Sequence, residues 1–296
     1  MEKFFQLLVA GIAVGGIYAI IALGFVVVYK VSGTFNFSQG GLVLLGAFVT
    51  YQYSGPWGMP FFVALALAVV TLAGVAMVAE RVVIRPMIGK PPFAMLLITI
   101  GLLVIIEQLV RSIWTEPGLV LKTPWGNDRY DIAGVTIRHA DLWTMGTVTV
   151  LFAAFFVFFS RTDAGLGIRA TAFDQEAAAA QGIPVSRAFS VSWAIAGAVA
   201  VVAGVMLTSR GGSALSPGLG LISLRALPAM IIGGLDSPGG AIAGGVIVGV
   251  TEIMAQGYLD NDTTGNVATI APYVVMIIVL LWRPSGLFGT RAVERV

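Results

Sequence analysis

Residues 155–208 read FFVFFSRTDAGLGIRATAFDQEAAAAQGIPVSRAFSVSWAIAGAVAVVAGVMLT, two apolar stretches enclosing a polar island at 161–187. A helix needs about 17–25 apolar residues to span a bilayer, and the flanks of the island belong to such spans. The chain is therefore read as entering and leaving a membrane on either side of one charged, helix-prone loop. Strong helix formers, Glu176 and an alanine run extend from Ala170 to Gln181, and Gly182-Ile183-Pro184 ends them. A helix over 170–181 is predicted. Arg169, Asp174 and Glu176 give it polar faces, while Ala170, Ala177, Ala178 and Ala180 let another surface approach closely. A soluble partner docking on the island and an ordinary solvated loop helix both fit this pattern.

Composition agrees. The chain is 57% hydrophobic and 11% charged, against about 25% charged for a soluble domain, which points to a polytopic membrane protein and away from a globular enzyme. Glycine is abundant and suits close packing of helices through small-residue faces. Cysteine is absent and His139 is the single histidine, which removes disulfides and thiolate chemistry and makes a histidine metal cluster or an imidazole-based triad improbable. The net charge of +2 and the lack of a basic tract give no sign of nucleic acid. The first apolar run passes directly into a full span, without the pattern of a cleavable signal peptide.

Apolar segments lie near 6–29, 37–53, 60–80, 93–114, 143–160, 187–208, 224–235, 240–258 and 269–282. The expected fold is an all-α, polytopic transmembrane helical bundle of about eight or nine spans, a single permease-like domain over 1–296. The segment 224–235 is too short to cross as a plain helix and is read as broken, buried against its neighbours. Lys30, Arg81, Arg85, Lys90, Arg161, Arg169, Arg187, Arg283, Arg291 and Arg295 fall on one side of this scheme, which the positive-inside rule makes cytoplasmic. An odd number of spans then places the N-terminus outside. The loop 115–142 is the sizeable external feature; its Pro-Gly, Trp125-Gly-Asn-Asp and Ile132-Ala-Gly turns and short β-prone runs suggest a small hairpin. It is either a structured connection or a docking surface.

A weak internal repeat is visible. Phe35-Asn36-Phe37-Ser38-Gln39-Gly40-Gly41 leads into one Gly-rich apolar helix and Leu235-Asp236-Ser237-Pro238-Gly239-Gly240 into another. Each offers side chains able to cap a helix N-terminus, and paired interrupted segments in two halves of a transporter often mark its pathway. Asn36, Ser38 and Gln39 are thus caps or pathway-lining groups. Glu107 and Arg111, four apart, are expected to pair. Glu252 lies within an apolar run and is expected to bond to a broken neighbouring helix, or else to line the pathway. Gly165-Leu-Gly167-Ile-Arg-Ala170 matches a dinucleotide fingerprint only as a string, since no strand precedes it. No phosphate-binding loop of the G-x-x-x-x-G-K-[ST] type occurs; Gly89-Lys90 is followed by Pro91.

Five motifs, in order, carry a resemblance: GGIYAIIALGFVVVYKVSGTFNFSQGGLVLLGAFV (15–49), ERVVIRPM (80–87), GLGIRATAFDQEAAAAQGI (165–183), ALPAMIIGGLDSPGGAIAGGVIVGVTE (226–252) and RPSGLFG (283–289). Over essentially its whole length the sequence resembles the inner-membrane permeases of branched-chain amino acid ABC importers, more the first of the two paired permeases than the second. Ser38-Gln39 stand where that family often has Ala-His, and Asp236 where Gly is common. The resemblance implies a bacterial plasma (inner) membrane location, a heterodimer with a second permease, two cytoplasmic ATPases that bind the ATP, and an external solute-binding protein. It implies no catalysis and no cofactor in this chain. It also implies that Gly165, Arg169, Ala170, Asp174, Ala178 and Gly182 belong to a cytoplasmic coupling helix entering a cleft in the ATPase. Asn36, Ser38, Gln39, Ser237 and Glu252 are the candidate pathway residues. Permeases for urea, short amides or other small polar solutes look much alike and form the alternative. An ion-coupled carrier working alone and a non-transporting scaffold are alternatives of other classes.

Overall fold

The computed structural model describes residues 1–126, 128–132, 135–210, 214–260 and 267–290. Arg291 and Arg295, counted above among the cytoplasmic cations, lie outside the described residues, as do Asn127, Ala133 and Gly134 of the predicted turns. The described residues are mainly helical, with one hairpin among them. In order come α1 (Glu2–Ser32), α2 (Ser38–Ser54), α3 (Phe61–Ala79), α4 (Pro92–Ile113), β1 (Arg129–Ile132), β2 (Val135–Arg138), α5 (His139–Arg161), α6 (Asp163–Phe173) and α7 (Gln175–Ala180). Then follow α8 (Val185–Arg210), α9 (Leu219–Ser223), α10 (Leu227–Gly233), α11 (Pro238–Tyr258) and α12 (Val267–Trp282).

Among the described residues six helices are long and apolar enough to cross a membrane: α1, α3 with its continuation to Met87, α4, α5, α8 and α11. The segment α9–α10 and the 16-residue α12 are shorter, as is the 17-residue α2. The segment expected to be broken is broken: α9 and α10 are separated by a 3-10 turn, Leu224–Ala226, and Pro228 at the start of α10 supplies no amide N–H to continue the ladder. Start and stop signals are local. Prolines open α4 and α11, and Gly234, at φ 107°, ends α10 in a conformation that side-chain-bearing residues avoid.

Two compact units appear: Met1–Val26 with Trp125–Val148 and Arg225–Val296, and Val27–Pro124 with Thr149–Leu224. In the first, α1 and α11 run backbone to backbone. A Cβ on Gly15 would lie 2.7 Å from the Gly245 carbonyl oxygen, and one on Gly249 would collide with the Gly15 backbone. Small residues allow this approach where no hydrophobic effect drives helices together. The hairpin also belongs here, with Arg129 opposite Arg138 and Tyr130 opposite Ile137, as the turn signals of the 115–142 loop suggest. The Trp125 and Trp143 rings stack at 5.3 Å, and Tyr130 lies 4.2 Å from the His139 ring.

In the second unit α8 is the hub, packed on α2 and α3. Gly204 fits against the Val43 carbonyl, Gly197 against that of Leu72, and a Cβ on Gly46 would come within 2.7 Å of the Val201 Cα. Gly40 of α2 meets Gly220 of α9 in the same way.

The island departs from its expected form. The single helix predicted over 170–181 is two helices, α6 and α7, meeting at Asp174. Asp174 has extended backbone, and its carboxylate accepts from the amides of Glu176 and Ala177 at 2.9 and 3.0 Å. An aspartate competes for local amides more strongly than alanine propensity holds a helix through it.

Candidate functional site

The island forms an elbow fixed to the second unit. Thr162 caps α6 by accepting from the Gly165 amide at 3.0 Å. Gly165 lies so close to the Phe158 and Phe159 carbonyls that any side chain there would displace them. Ile168, fully buried, packs with Val31, Ala188 and Phe189, with Phe158, Phe159 and Val185 around them. The Arg169 guanidinium lies 5.3 Å from the Phe159 ring centre, and its Nη1 is buried without a hydrogen-bond partner. Gln175 ties α7 to α1 by donating to the Val31 carbonyl at 2.9 Å. Gly182, at φ 79°, takes the chain out of α7.

The six expected docking residues are thus brought together, but mainly as the inner framework. Gly165 and Ala178 are buried, Arg169, Ala170 and Asp174 are half-buried, and Gly182 is exposed. The outer face carries what the sequence reading missed. Phe173 is 93% exposed and Leu166, seven residues earlier, is 52% exposed, which puts both on one face of α6. A groove of about 320 Å³ runs between α6 and the start of α8, lined by Asp163, Leu166, Gly182, Ile183, Arg187 and Val191.

Beside the elbow, α3 continues as a π-helical turn, Glu80–Ile84. The Arg85 amide bonds to the Glu80 carbonyl, five residues back, which stacks their side chains on one face. Arg85 grips the fully buried Glu80 carboxylate with Nε and Nη2 at 3.1 and 2.9 Å. Ser190 donates to the same carboxylate at 2.8 Å, and Arg85 reaches the Ser186 carbonyl at 3.3 Å. The cations of ERVVIRPM, read above only as loop charges, include one half of a clasp onto the beginning of α8.

The start of α2 is a sealed polar cluster. Asn36 is 1% exposed and Gln39 0%. Ser38 Oγ donates to Asn36 Oδ1 at 2.5 Å, and Gln39 Nε2 donates to the Ala196 carbonyl at 3.2 Å. Ala196 is near the middle of the 26-residue α8, about 16 Å from its start at 1.5 Å per residue, so α2 begins well inside the apolar layer. No side chain caps α2; Phe37 holds the N-cap position and its amide donates to Thr99 Oγ1 at 3.1 Å. Of the two alternatives for Asn36, Ser38 and Gln39, capping is not the arrangement seen: Asn36 and Ser38 bond each other and Gln39 bonds α8. Asn36 Nδ2 and Gln39 Oε1 have no hydrogen-bond partner among the described residues.

In the first unit Ser237 does cap, accepting from the Gly240 amide at 3.0 Å. Asp236 accepts from Thr290 through backbone and hydroxyl, and the amides of Leu287 and Phe288 donate to Ile232 and Gly233. The motifs 226–252 and 283–289 thus interlock. Deeper in the same unit, Tyr18 donates to Glu252 Oε2 at 2.6 Å, and Arg225 Nη1 lies 3.4 Å from Glu252 Oε1. Arg225 occupies the break between α9 and α10, so Glu252 bonds to the broken helix as expected. The Glu107–Arg111 pair is present at 2.7 Å.

Comparison with known proteins places this architecture. The sequence model described as "Branched-chain amino acid transport system / permease component" matches residues 7–280. The high-affinity branched-chain amino acid transport system permease protein LivH of Escherichia coli is 29% identical over 99% of this chain and 98% of its own length. BraD of Pseudomonas aeruginosa, a protein of the same description, is 28% identical over 99% and 98%. A probable LivH of Methanocaldococcus jannaschii is 26% identical over 96% and 92%. The solved structure of PsaBC from Streptococcus pneumoniae in complex with Fab covers 94% of this chain at 17% identity, with a TM-score of 0.45, too low to carry a fold assignment. The chain is a multi-pass membrane protein and belongs to the branched-chain amino acid transport system permease component family, whose members are transport subunits and not enzymes.

Proposed function

We propose that this chain is one membrane-spanning subunit of an ABC importer that carries branched-chain amino acids across the bacterial plasma (inner) membrane. A second permease completes the pore, two cytoplasmic ATPases bind and hydrolyse the ATP, and an external binding protein delivers the solute. The chain itself holds no cofactor and makes no covalent intermediate.

The observation that carries the reading is the elbow: a short helix pair presenting Phe173 almost wholly to solvent while Ile168, Gly165 and Gln175 lock it to α1, α5 and α8. Phe173 and Leu166 share one face of α6 beside the groove against α8, an exposed apolar patch of the kind that marks an interaction site. Covering Phe173 removes an aromatic anchor from water, and such anchors dominate interface energies. Because the elbow is packed rigidly, a push on Phe173 moves α8, and the Glu80–Arg85–Ser190 clasp passes the motion to α3. Rigid-body switching of this kind couples a remote partner to the pore when the partner binds one state better. Arg169, Ala170, Asp174, Ala178 and Gly182 serve this reading by shaping the elbow.

Nine crossings fit the helices. The positive-inside assignment puts the start of α1 outside and the ends of α1, α3, α5 and α12 inside. The broken α9–α10 counts as one crossing, α2 and α12 as others. Of the candidate pathway residues, Asn36, Ser38, Gln39 and Ser237 hold helix starts in place, while Glu252 faces the route.

The test is purification of the tagged protein from its native membrane and reconstitution of what accompanies it in vesicles. Two ATPases, a second permease and ATP-dependent uptake of radiolabelled leucine, isoleucine or valine are expected. Uptake of urea or an amide in their place moves the solute class, and uptake by the chain alone without ATP overturns the mechanism. Within the complex, Phe173→Asp is expected to lower uptake by about tenfold or more at unchanged permease abundance; equal losses of both overturn the docking role.

A further inference from the structure

The Arg225–Glu252 pair joins a break between two short helices to a membrane-spanning one. Glu252 lies in α11, fifteenth of 21 residues, and bonds Tyr18, near the middle of the 31-residue α1. The glycine contact between α1 and α11 sets their level. The helices run antiparallel, Gly11 facing Val250 and Gly15 facing Gly245, and helical side chains lean toward their own N-termini, so Tyr18 and Glu252 lean toward each other. An ionised group within a membrane-spanning helix costs up to a few kcal/mol unless it faces protein or a water-filled cavity.

Yet the pair is not sealed. The Arg225 side chain is 40% exposed and that of Glu252 13%. One guanidinium nitrogen meets one carboxylate oxygen at 3.4 Å, whereas Arg85 holds Glu80 with two donors at 3.1 Å or less. Arg225 also sits on a 3-10 turn between two short helices, its own side chain open while Ser223 and Ala226 beside it are buried. Glu252, by contrast, is held from behind by Tyr18.

We infer that Arg225 and Glu252 form a way-station for the zwitterionic head group of an α-amino acid. The guanidinium takes the substrate carboxylate, Glu252 takes the ammonium, and Tyr18 fixes the Glu252 carboxylate. An open, single-contact ion pair offers one cationic and one anionic site a few ångströms apart, as a zwitterion does. The substrate exchanges the internal contact for two of its own, so no bare charge is left at any stage. The aliphatic side chain is not read by this pair, which suits a pore passing several such side chains. The inference rests on the importer reading above.

The test uses the reconstituted complex with its binding protein and radiolabelled leucine. Arg225→Gln with Glu252→Gln leaves no unpaired charge, so assembly and melting temperature are expected to stay at the wild-type level. Import is expected to fall about tenfold or more, the scale of losing charge-assisted hydrogen bonds. Arg225→Lys, which keeps the cation, is expected to retain a large part of the rate. Import by the doubly neutral complex at close to the wild-type rate overturns the proposal and makes the pair structural. Should that complex fail to assemble, Tyr18→Phe decides, since it keeps both charges: a roughly threefold loss of import at full assembly supports the way-station, and an unchanged rate overturns it. A wild-type complex that moves no leucine overturns the importer reading instead.

Discussion

The start of α2 and the break at Arg225 both set polar groups inside apolar helices, and they differ in what they leave open. Asn36, Ser38 and Gln39 are uncharged, sealed to 1% exposure or less, and tied to each other and to α8. Arg225 and Glu252 are charged, joined by a single contact and partly open. An amide can be sealed at a cost of about 1–3 kcal/mol for each orphan group, whereas a loosely paired charge demands water or a partner. The sealed cluster therefore sets geometry, and the open one meets the solute. Glu80 completes the contrast as a sealed charge, tolerated because Arg85 and Ser190 give it three charge-assisted bonds.

The hardest way to break the contrast is to remove what positions the open cluster. Gly249→Leu drives a side chain into the Gly15 backbone, and α1 and α11 cannot close without separating. The damage exceeds the about 1–3 kcal/mol of ordinary overpacking. Folded permease, read by fluorescence size-exclusion of a tagged form, is expected to fall to a small fraction of wild type. Full yield with import intact would mean that α1 and α11 do not meet at these glycines.

Next in size is Glu80→Gln, which leaves Arg85 facing a neutral amide in a site built for a carboxylate. The arginine left behind is partly open to solvent, so the cost is that of weakened charge-assisted hydrogen bonds, about 1.5–3 kcal/mol, and a clear drop in melting temperature is expected. Glu80→Leu with Arg85→Met, which removes both charges, is expected to recover most of it. A double variant no more stable than Glu80→Gln would show that the clasp contributes through Ser190 and Ser186 and not through the ion pair.

Asn36→Ala with Gln39→Ala probes the sealed cluster directly. Each loses one hydrogen bond, about 0.5–1.5 kcal/mol, and each also removes an orphan atom, so the net effect is smaller than the bond count implies. Melting temperature is expected to fall modestly and import in step with it. The Arg225 and Glu252 variants should show the reverse, import lost at constant stability. Import lost at full stability in the Asn36 and Gln39 variants would place the solute at α2 and erase the distinction.

Much of this was legible in the sequence. Long apolar runs cross a bilayer whatever their tertiary context, so α1, α3, α4, α5, α8 and α11 announce themselves by length. That the segment 224–235 is not a plain span was legible because twelve residues cannot cross about 30 Å, though not that the break itself falls at 224–226. The Glu107–Arg111 pair and the Ser237 cap followed from helical spacing and turn chemistry. What stayed hidden depends on faces set by packing. Glu80 and Arg85 are five apart, which no α-helical rule pairs; only the π-helical turn aligns them. Phe173 reads as a buried residue until α6 turns it outward. Asp174 carried a usable signal, a capping residue ahead of Glu176, that the alanine run masked. Arg225 carried one too: an arginine inside an apolar stretch requires an acid, and Glu252 is the acid within α11, although Asp236 is nearer in sequence.

The smallest expected effect comes from Glu107→Gln, and it calibrates the others. Glu107 and Arg111 form an ion pair as short as any here, 2.7 Å, one turn apart on α4. Distance alone would rank it above Arg225–Glu252. Glu107 and Arg111, though, pair within a single helix, whereas Arg225 and Glu252 join separate elements and Tyr18 of α1 holds the glutamate as well. Pairs of this kind contribute about 0.3–0.5 kcal/mol. Melting temperature and import are both expected to stay close to wild type. A loss as large as that of the Arg225 variants would mean that bridging separate elements does not distinguish a functional ion pair from a decorative one in this chain, and the contrast between the two clusters would fall with it.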